Sequence, residues 1–182
     1  MPHPGTKAEI LSALEANAET LAGYFSSLPA GVFFAGDSDH WSPAHHLVHL
    51  TQTSAAVERG LRSVALPAHA AGRSRSYAEV RDLAASSLGA TPKDVLLTMG
   101  RRVEIDSGTD PSAIVNAFVA AGTTHRDAIA AWSEDAMERS AMTHPLIGPL
   151  SVREMLLFVV VHERHHLRNV QTRVAGAALR PR

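Results

Sequence analysis

Cysteine is absent from the 182-residue chain. Without a thiol the protein can form no disulfide, no thiolate metal site and no covalent intermediate on a cysteine sulfur. If the protein binds a transition metal, the side chains that hold it must therefore be histidine, aspartate or glutamate.

A strong excess of either charge is also missing, since the formal net charge is -1 and only 19% of residues are charged. Nucleic acid or an anionic membrane would require a clustered basic surface. The arginines near the end of the chain, Arg173, Arg180 and Arg182, are interpreted as a solvated tail. No apolar run reaches the ~18 residues that span a bilayer, and the start of the chain lacks a signal peptide's apolar run. We expect a cytoplasmic protein without nucleic-acid or membrane partners.

Hydrophobic residues make up 45% of the chain and recur at helical rather than strand spacing. Capping residues before prolines, as in Ser42-Pro43 and Asp110-Pro111, mark helix starts, and Ser151 to Glu154 has the form of a capping box. The expected helices lie near 6–28, 43–65, 77–88, 92–101, 111–132 and 151–176. Residues 67–76 are expected to form a loop and 140–149 a rigid turn. With no credible strand, the sequence predicts one all-α domain over residues 1–182, a four-helix bundle.

The motif with the clearest chemistry runs from Val161 to Leu167, where His162 and His166 stand four residues apart. On a helix they point the same way, and they share a stripe with Val152, Met155 and Val159 that faces the bundle interior. Two buried imidazoles side by side are explained economically by a divalent metal, for which neutral imidazole is the commonest nitrogen ligand. Ordinary core histidines are the alternative.

A reactive site of this kind usually has a third protein ligand, and the predicted helix after Trp41 offers two candidates. His46 lies at the centre of that helix's apolar stripe, whereas His49 lies at its edge. The pattern alone leaves the choice between them open. His165 faces another direction and is expected to pack or to make an outer hydrogen bond.

Several segments, in this order and spacing, resemble the DinB-like superfamily of helical-bundle metalloenzymes. They are Trp41-Ser42-Pro43-Ala44 with Leu47 and His49-Leu50, Ala117-Phe118, Trp132, His144 to Leu150, and His162 to His166. The resemblance implies that the metal ligands are His49, His162 and His166. It also implies an up-down-down-up four-helix core, a long crossover over residues 66–110, and a homodimer.

Other side chains are candidates for contact with a substrate. Gln52 and Thr53 follow His49 by one turn, and His125 lies on the apolar stripe of the third long helix. Glu163 is rotated about 100° from His162 and is interpreted as a surface salt-bridge residue. Trp41 and Trp132 are interpreted as packing at the bundle ends. No residue is assigned a catalytic role.

The expected function is that of a metal-dependent enzyme acting on a small molecule. Members of the resembled family include thiol transferases that use mycothiol or bacillithiol and a mycothiol-dependent maleylpyruvate isomerase, which makes thiol transfer the leading hypothesis. The alternatives are a metal-dependent hydrolase and a non-catalytic, metal-binding stress-response protein. Zinc is the expected metal on ligand type, with nickel, cobalt, iron and manganese as alternatives. Because only neutral imidazole binds metal, affinity is expected to fall as the pH drops through about 6.5.

Overall fold

Most of the chain is described by the computed structural model, which covers residues 3–37, 39–63, 66–67, 74–92, 94–95, 98, 105–106 and 108–178. Within these ranges the helices are α1 (Lys7–Ser26), α2 (Ala30–Phe33), α3 (Pro43–Arg62), α4 (Tyr77–Ala90), α5 (Pro111–Ala130), α6 (Glu134–Arg139) and α7 (Val152–Ala178). The strands are β1 (Leu66–Pro67), β2 (Ser140–His144) and β3 (Gly148–Ser151).

The long helices begin where the sequence predicts. The Ser42 side chain accepts a hydrogen bond from the His45 backbone at the start of α3, and Asp110 caps α5 in the same manner. At the start of α7, the Ser151 backbone donates to Glu154 while the Glu154 backbone donates to the Ser151 hydroxyl. Each such cap is worth about 1 kcal/mol, because it satisfies backbone groups that the helix leaves unpaired.

Four long helices, α1, α3, α5 and α7, form the bundle. Helix α1 packs against α5 and α7, and α3 packs against the same two helices. Helix α4 lies against the outside of α7. The predicted four-helix bundle is confirmed. For the site, the important consequence is that α3 and α7 are direct neighbours although far apart in sequence.

Helix α7 is the central element of the core. From Val152 to Glu163 every side chain except that of Arg153 is buried. Two apolar clusters surround this helix, one next to the strands and one at the opposite end around Phe25, Phe33 and Phe118. Burying one large apolar side chain stabilises the fold by about 1.5–3 kcal/mol. Side chains carried by α7 are therefore held on a rigid, densely packed support.

The expectation of no strands is wrong. Strands β2 and β3 form an antiparallel hairpin that pairs Ala141 with Ser151 and His144 with Gly148, and β1 pairs with β2. Residues 140–149 were expected as a turn, but only 145–147 form one. Strands of two to five residues are too short to show an alternating apolar pattern. Gly148 has a φ of +87°, which few residues other than glycine adopt, so it suits the hairpin's tight return.

Two short helices, α2 and α6, were also missed, because one or two turns do not establish a helical period. Most of the helix predicted over 92–101 lies outside the described residues. No helix in the described ranges is both long and apolar enough to cross a membrane.

Candidate metal centre

Three histidines meet where α3 and α7 pack side by side. The Nε2 atom of His162 lies 3.2 Å from Nε2 of His49 and 2.8 Å from Nε2 of His166. One ring nitrogen from each residue lies within 4.8 Å of the others. His162 and His166 converge because they are one turn apart on α7, and His49 reaches them from α3. The structure thus brings together the three residues that the family resemblance implied; hereafter they are called the three-histidine cluster.

The spacing of these nitrogens suits a divalent metal. Ligand nitrogens about 2.0–2.1 Å from a tetrahedral zinc ion are about 3.4 Å from one another, close to the separations in the cluster. Each neutral imidazole has one N–H and one lone pair, so three facing nitrogens cannot all be satisfied by hydrogen bonds among themselves. A metal ion that accepts all three lone pairs fits this donor set.

Burial keeps the cluster uncharged at neutral pH. It lowers the pKa of His49 from 6.5 to about 4, and together with the neighbouring imidazoles it holds the pKa of His162 and of His166 well below 6.5. A neutral ring is the form that binds metal. The expected fall of metal affinity through pH 6.5 is therefore shifted to lower pH, where protons begin to compete in the folded protein.

His46, the rival of His49, lies beside the cluster but outside it. Its side chain is buried, and its Nδ1 atom lies 2.6 Å from Nδ1 of His166. His46 thus contacts the ring nitrogen of His166 that faces away from the other two histidines. His49 is half-buried, which agrees with its place at the edge of the apolar stripe. That edge position lets it reach across the groove to α7.

Aromatic rings enclose the cluster on two sides. Trp41 stacks on His166, with ring centroids 5.7 Å apart and planes within 9°, and also contacts His46 and His49. On the other side Phe158 stacks on His162 at 5.2 Å. The interpretation of Trp41 as bundle-end packing omitted this contact. In the described part of the chain, the buried Nδ1 of His162 has no hydrogen-bond partner.

The position of Trp41 predicts an optical signal. We expect Co²⁺ or Ni²⁺ to quench its fluorescence on binding, because paramagnetic transition ions next to an indole provide a nonradiative route. Trp41→Phe should lose this quenching in a fluorescence titration. Trp132→Phe is the matched control and should keep it, since Trp132 lies near the start of α7: its carbonyl accepts from Lys7, whose backbone N–H donates to Glu134, the ion-pair partner of Arg153. Equal quenching in Trp41→Phe and Trp132→Phe would show that the metal does not bind beside Trp41.

The proposed substrate residues lie at different depths. Gln52 is exposed, and the Thr53 hydroxyl donates a 3.0 Å hydrogen bond to the backbone carbonyl of His49. His125 is only 2% exposed, and its Nε2 has no hydrogen-bond partner in the described ranges. The charges that act on it belong to Glu58 and Arg126 rather than to the cluster. The structure brings none of these three residues into the group of facing nitrogens.

Glu163 is not the surface residue that the sequence suggested. It is 5% exposed and accepts a 3.0 Å hydrogen bond from the Asn17 amide, which also donates to the Val160 carbonyl and accepts from Arg164. Burial raises the pKa of Glu163 to about 7. The error arose because α1 covers this face of α7. Asn17 interrupts the stripe of Leu14 and Leu21, and this polar residue at an apolar position was the signal that could have revealed the contact.

His165 lies outside the cluster, as expected. Its Nε2 is 2.9 Å from the Asn169 amide nitrogen, one turn further along α7. The residue is half-buried and shares the helix of His162 and His166 without sharing their direction. It therefore offers a control for substitutions in the cluster.

Known proteins allow the chain to be classified. YfiT from Bacillus subtilis, described as a probable metal-dependent hydrolase with an unusual four-helix bundle topology, is 13% identical, with a TM-score of 0.61 over 96% of this chain and 93% of YfiT. TT2238, a four-helix bundle protein, is 20% identical, with a TM-score of 0.56 over 92% of this chain and 99% of TT2238. No curated protein matches in sequence. The sequence profile of the DinB superfamily matches residues 13–170, and the chain belongs to that family.

Proposed function

We propose that the protein is a metal-dependent enzyme that transfers a low-molecular-weight thiol to an electrophilic small molecule. His49, His162 and His166 would hold a divalent ion, with zinc expected from the nitrogen ligands. A bound divalent cation lowers the pKa of a coordinating thiol and stabilises its anion. Since the chain has no cysteine, the reacting sulfur must come from a separate thiol such as mycothiol or bacillithiol.

The observation that carries the proposal is the neutral character of the side chains that the described residues bring together in the cluster. In the ranges that the structure describes, no aspartate or glutamate joins the three histidines. Besides burial, the groups that lower the pKa of His162 and His166 are other histidines. Three neutral ligands leave the full charge of a divalent ion on the site. Such a site favours an anionic occupant.

The same observation favours a thiol over water as the nucleophile. A thiol has an ordinary pKa near 8.5, so a neighbouring positive charge is enough to ionise it at neutral pH. Water is a far weaker acid: on a zinc ion its pKa falls only to about 7, whereas a coordinating thiol is deprotonated outright. A general base would assist water further, but the imidazoles of the cluster would serve as ligands, His46 contacts His166, and Glu163 is turned toward Asn17. Nucleophilic attack by the thiolate would form a sulfur–carbon bond as the leaving group departs with its electron pair.

This chain's residues would also shape access to the site. His49 is half-exposed, whereas His162 and His166 are buried, so a substrate would approach from the side of α3. Trp41 and Phe158 would exclude water from the flanks of the cluster. Gln52 and Thr53, one turn beyond His49, are proposed to contact the substrate. The Nε2 atom of His125, which has no hydrogen-bond partner among the described residues, is proposed as a polar contact from the core.

Cobalt-substituted protein tests the proposal directly. Titration with mycothiol or bacillithiol should add a sulfur-to-metal charge-transfer band and raise the thermal unfolding midpoint, because the thiolate binds only the folded site. The analogue with oxygen in place of sulfur is the matched control and should add no such band. The His162→Ala variant should show neither effect.

The contrary results distinguish the other two functions. YfiT supports the hydrolase alternative, since a related fold carries that description. Absence of the band and of thermal protection, together with metal-dependent cleavage in an ester or amide panel, would replace thiol transfer by hydrolysis. Tight metal binding without any turnover would favour a non-catalytic metal-binding protein.

A further inference from the structure

We propose that His46 is a positioning residue that accepts the Nδ1 hydrogen of His166 and so directs the Nε2 lone pair of His166 toward the metal. This assignment rests on the metal site of the proposed function. It gives a role to the histidine that sequence reasoning could only weigh against His49 as a ligand.

Counting hydrogens shows which direction of this hydrogen bond a metal on Nε2 of His166 requires. The two Nδ1 atoms are 2.6 Å apart, a separation that requires one hydrogen between them. Each neutral ring has one N–H. If His46 donated, His166 would carry its hydrogen on Nε2, the nitrogen that faces His162, and would have no lone pair there. If His166 donates, its Nε2 is free to bind a metal. A metal held by the three-histidine cluster therefore requires that His166 donates and His46 accepts.

The packing holds His166 in this orientation. His46 is 9% exposed and His166 is 6% exposed, so water does not compete readily for their hydrogen bond. Trp41 stacks on the His166 ring within 9° of parallel and fixes the ring plane. The hydrogen bond then fixes the direction of the ring within that plane. His166 is thus oriented by contacts that do not depend on the metal.

His162 provides the contrast. Its Nδ1 has no hydrogen-bond partner in the described ranges, so its orientation depends on packing against Phe158. Histidine ligands commonly donate their second N–H to a carboxylate or a carbonyl. At His166 the acceptor is instead a neutral imidazole, which orients the ligand without adding negative charge. This choice preserves the uncompensated positive charge on which thiol ionisation depends.

The test is a matched pair of substitutions. Asparagine carries its amide oxygen at the same number of bonds from the backbone as Nδ1 of histidine, and leucine has the same shape without an acceptor. Zinc affinity, measured by chelator competition, should weaken 10- to 100-fold in His46→Leu, the usual effect of losing an orienting contact. His46→Asn should stay within about threefold of the unsubstituted protein, because it keeps the acceptor. Thermal unfolding of both metal-free variants reports whether they fold.

Nitrogen NMR provides a readout that packing alone would not change. In the unsubstituted protein, with and without zinc, His166 should carry its hydrogen on Nδ1. Equal zinc affinity of the folded leucine and asparagine variants would overturn the assignment while leaving the metal site intact. A hydrogen on Nε2 of His166 in the zinc form would overturn the assignment and also remove His166 from the ligands. Failure of the unsubstituted protein to bind zinc would overturn the proposed function and the assignment together.

Discussion

Alanine in place of His49, His162 or His166 is expected to abolish stoichiometric zinc binding. Each of these residues supplies one of the three facing nitrogens, and the described residues place no carboxylate among them. Two imidazoles alone do not make a competent zinc site. Removing one ligand should weaken binding by at least about 100-fold, more than the 10–100-fold effect of losing an orienting contact. Isothermal titration calorimetry with Zn²⁺ and Ni²⁺ measures this loss.

His165→Ala is the control for these variants. It removes an imidazole from the same helix but from outside the cluster, so stoichiometric binding should be retained. Tight binding by His49→Ala would contradict the assignment of the third ligand and move that role to His46. A His165→Ala variant that lost metal would show that the cluster does not define the site.

The metal-free protein should lose stability steeply as the pH falls below about 6.5. Burial lowers the pKa of His46 to about 3 and of His49 and His125 to about 4, and holds that of His162 and His166 well below 6.5. In the unfolded chain these five residues gain protons near their ordinary pKa of 6.5, while in the folded protein they stay neutral. Protons therefore favour the unfolded state, and the stability that is present above pH 6.5 decreases toward the folded pKa values.

Glu163 acts in the opposite direction. Its pKa is raised to about 7, so between the unfolded value near 4.5 and pH 7 the folded state holds the extra proton. Near pH 5 the five histidines take up about five protons on unfolding and Glu163 releases about one, so the net uptake is about four protons. This uptake corresponds to roughly 5 kcal/mol of lost stability per pH unit. Urea unfolding of chelator-treated protein between pH 7.5 and 5 measures this slope.

His125→Leu is a control for the slope. It removes one titrating group and an unpartnered buried nitrogen, so it should lower the slope by about one proton and leave stability at pH 7.5 equal or higher. Unfolding free energy that does not change between pH 7.5 and 5.5 would mean that these imidazoles are accessible to protons in the folded state.

Much of the site was predictable because its key residues follow a helical period. His162 and His166 are one turn apart on a helix whose apolar stripe is evident, so their common direction could be read from the sequence. The helical period did not determine the third residue of the cluster. His46 at the stripe centre and His49 at its edge differ in how they meet α7, and that depends on the packing of two helices distant in sequence. The family resemblance, rather than periodicity, pointed to His49.

The errors have the same physical origin. Periodicity shows which face of a helix is apolar, but it does not show that a second helix covers the opposite face. Thus Glu163 was assigned to the surface although α1 buries it against Asn17. The stacking of Trp41 on His166 and the hairpin of β2 and β3 likewise depend on contacts between segments that the sequence does not place. The family resemblance implied a homodimer, and in the described ranges Val95 and Val119 are the only exposed large hydrophobic residues. The dimer stays a prediction.

The long separation between α3 and α7 gives the cluster a mechanical role. His49 and His162 are 113 residues apart, and the segment between them includes α4, α5 and the hairpin. A metal held by both helices would cross-link a loop that contains more than half of the chain. Closing a loop of this length restricts the unfolded chain by about 4–5 kcal/mol, comparable to a disulfide. In a protein without cysteine, the ion would be the reversible counterpart of a disulfide, so its removal would loosen the bundle as well as empty the site.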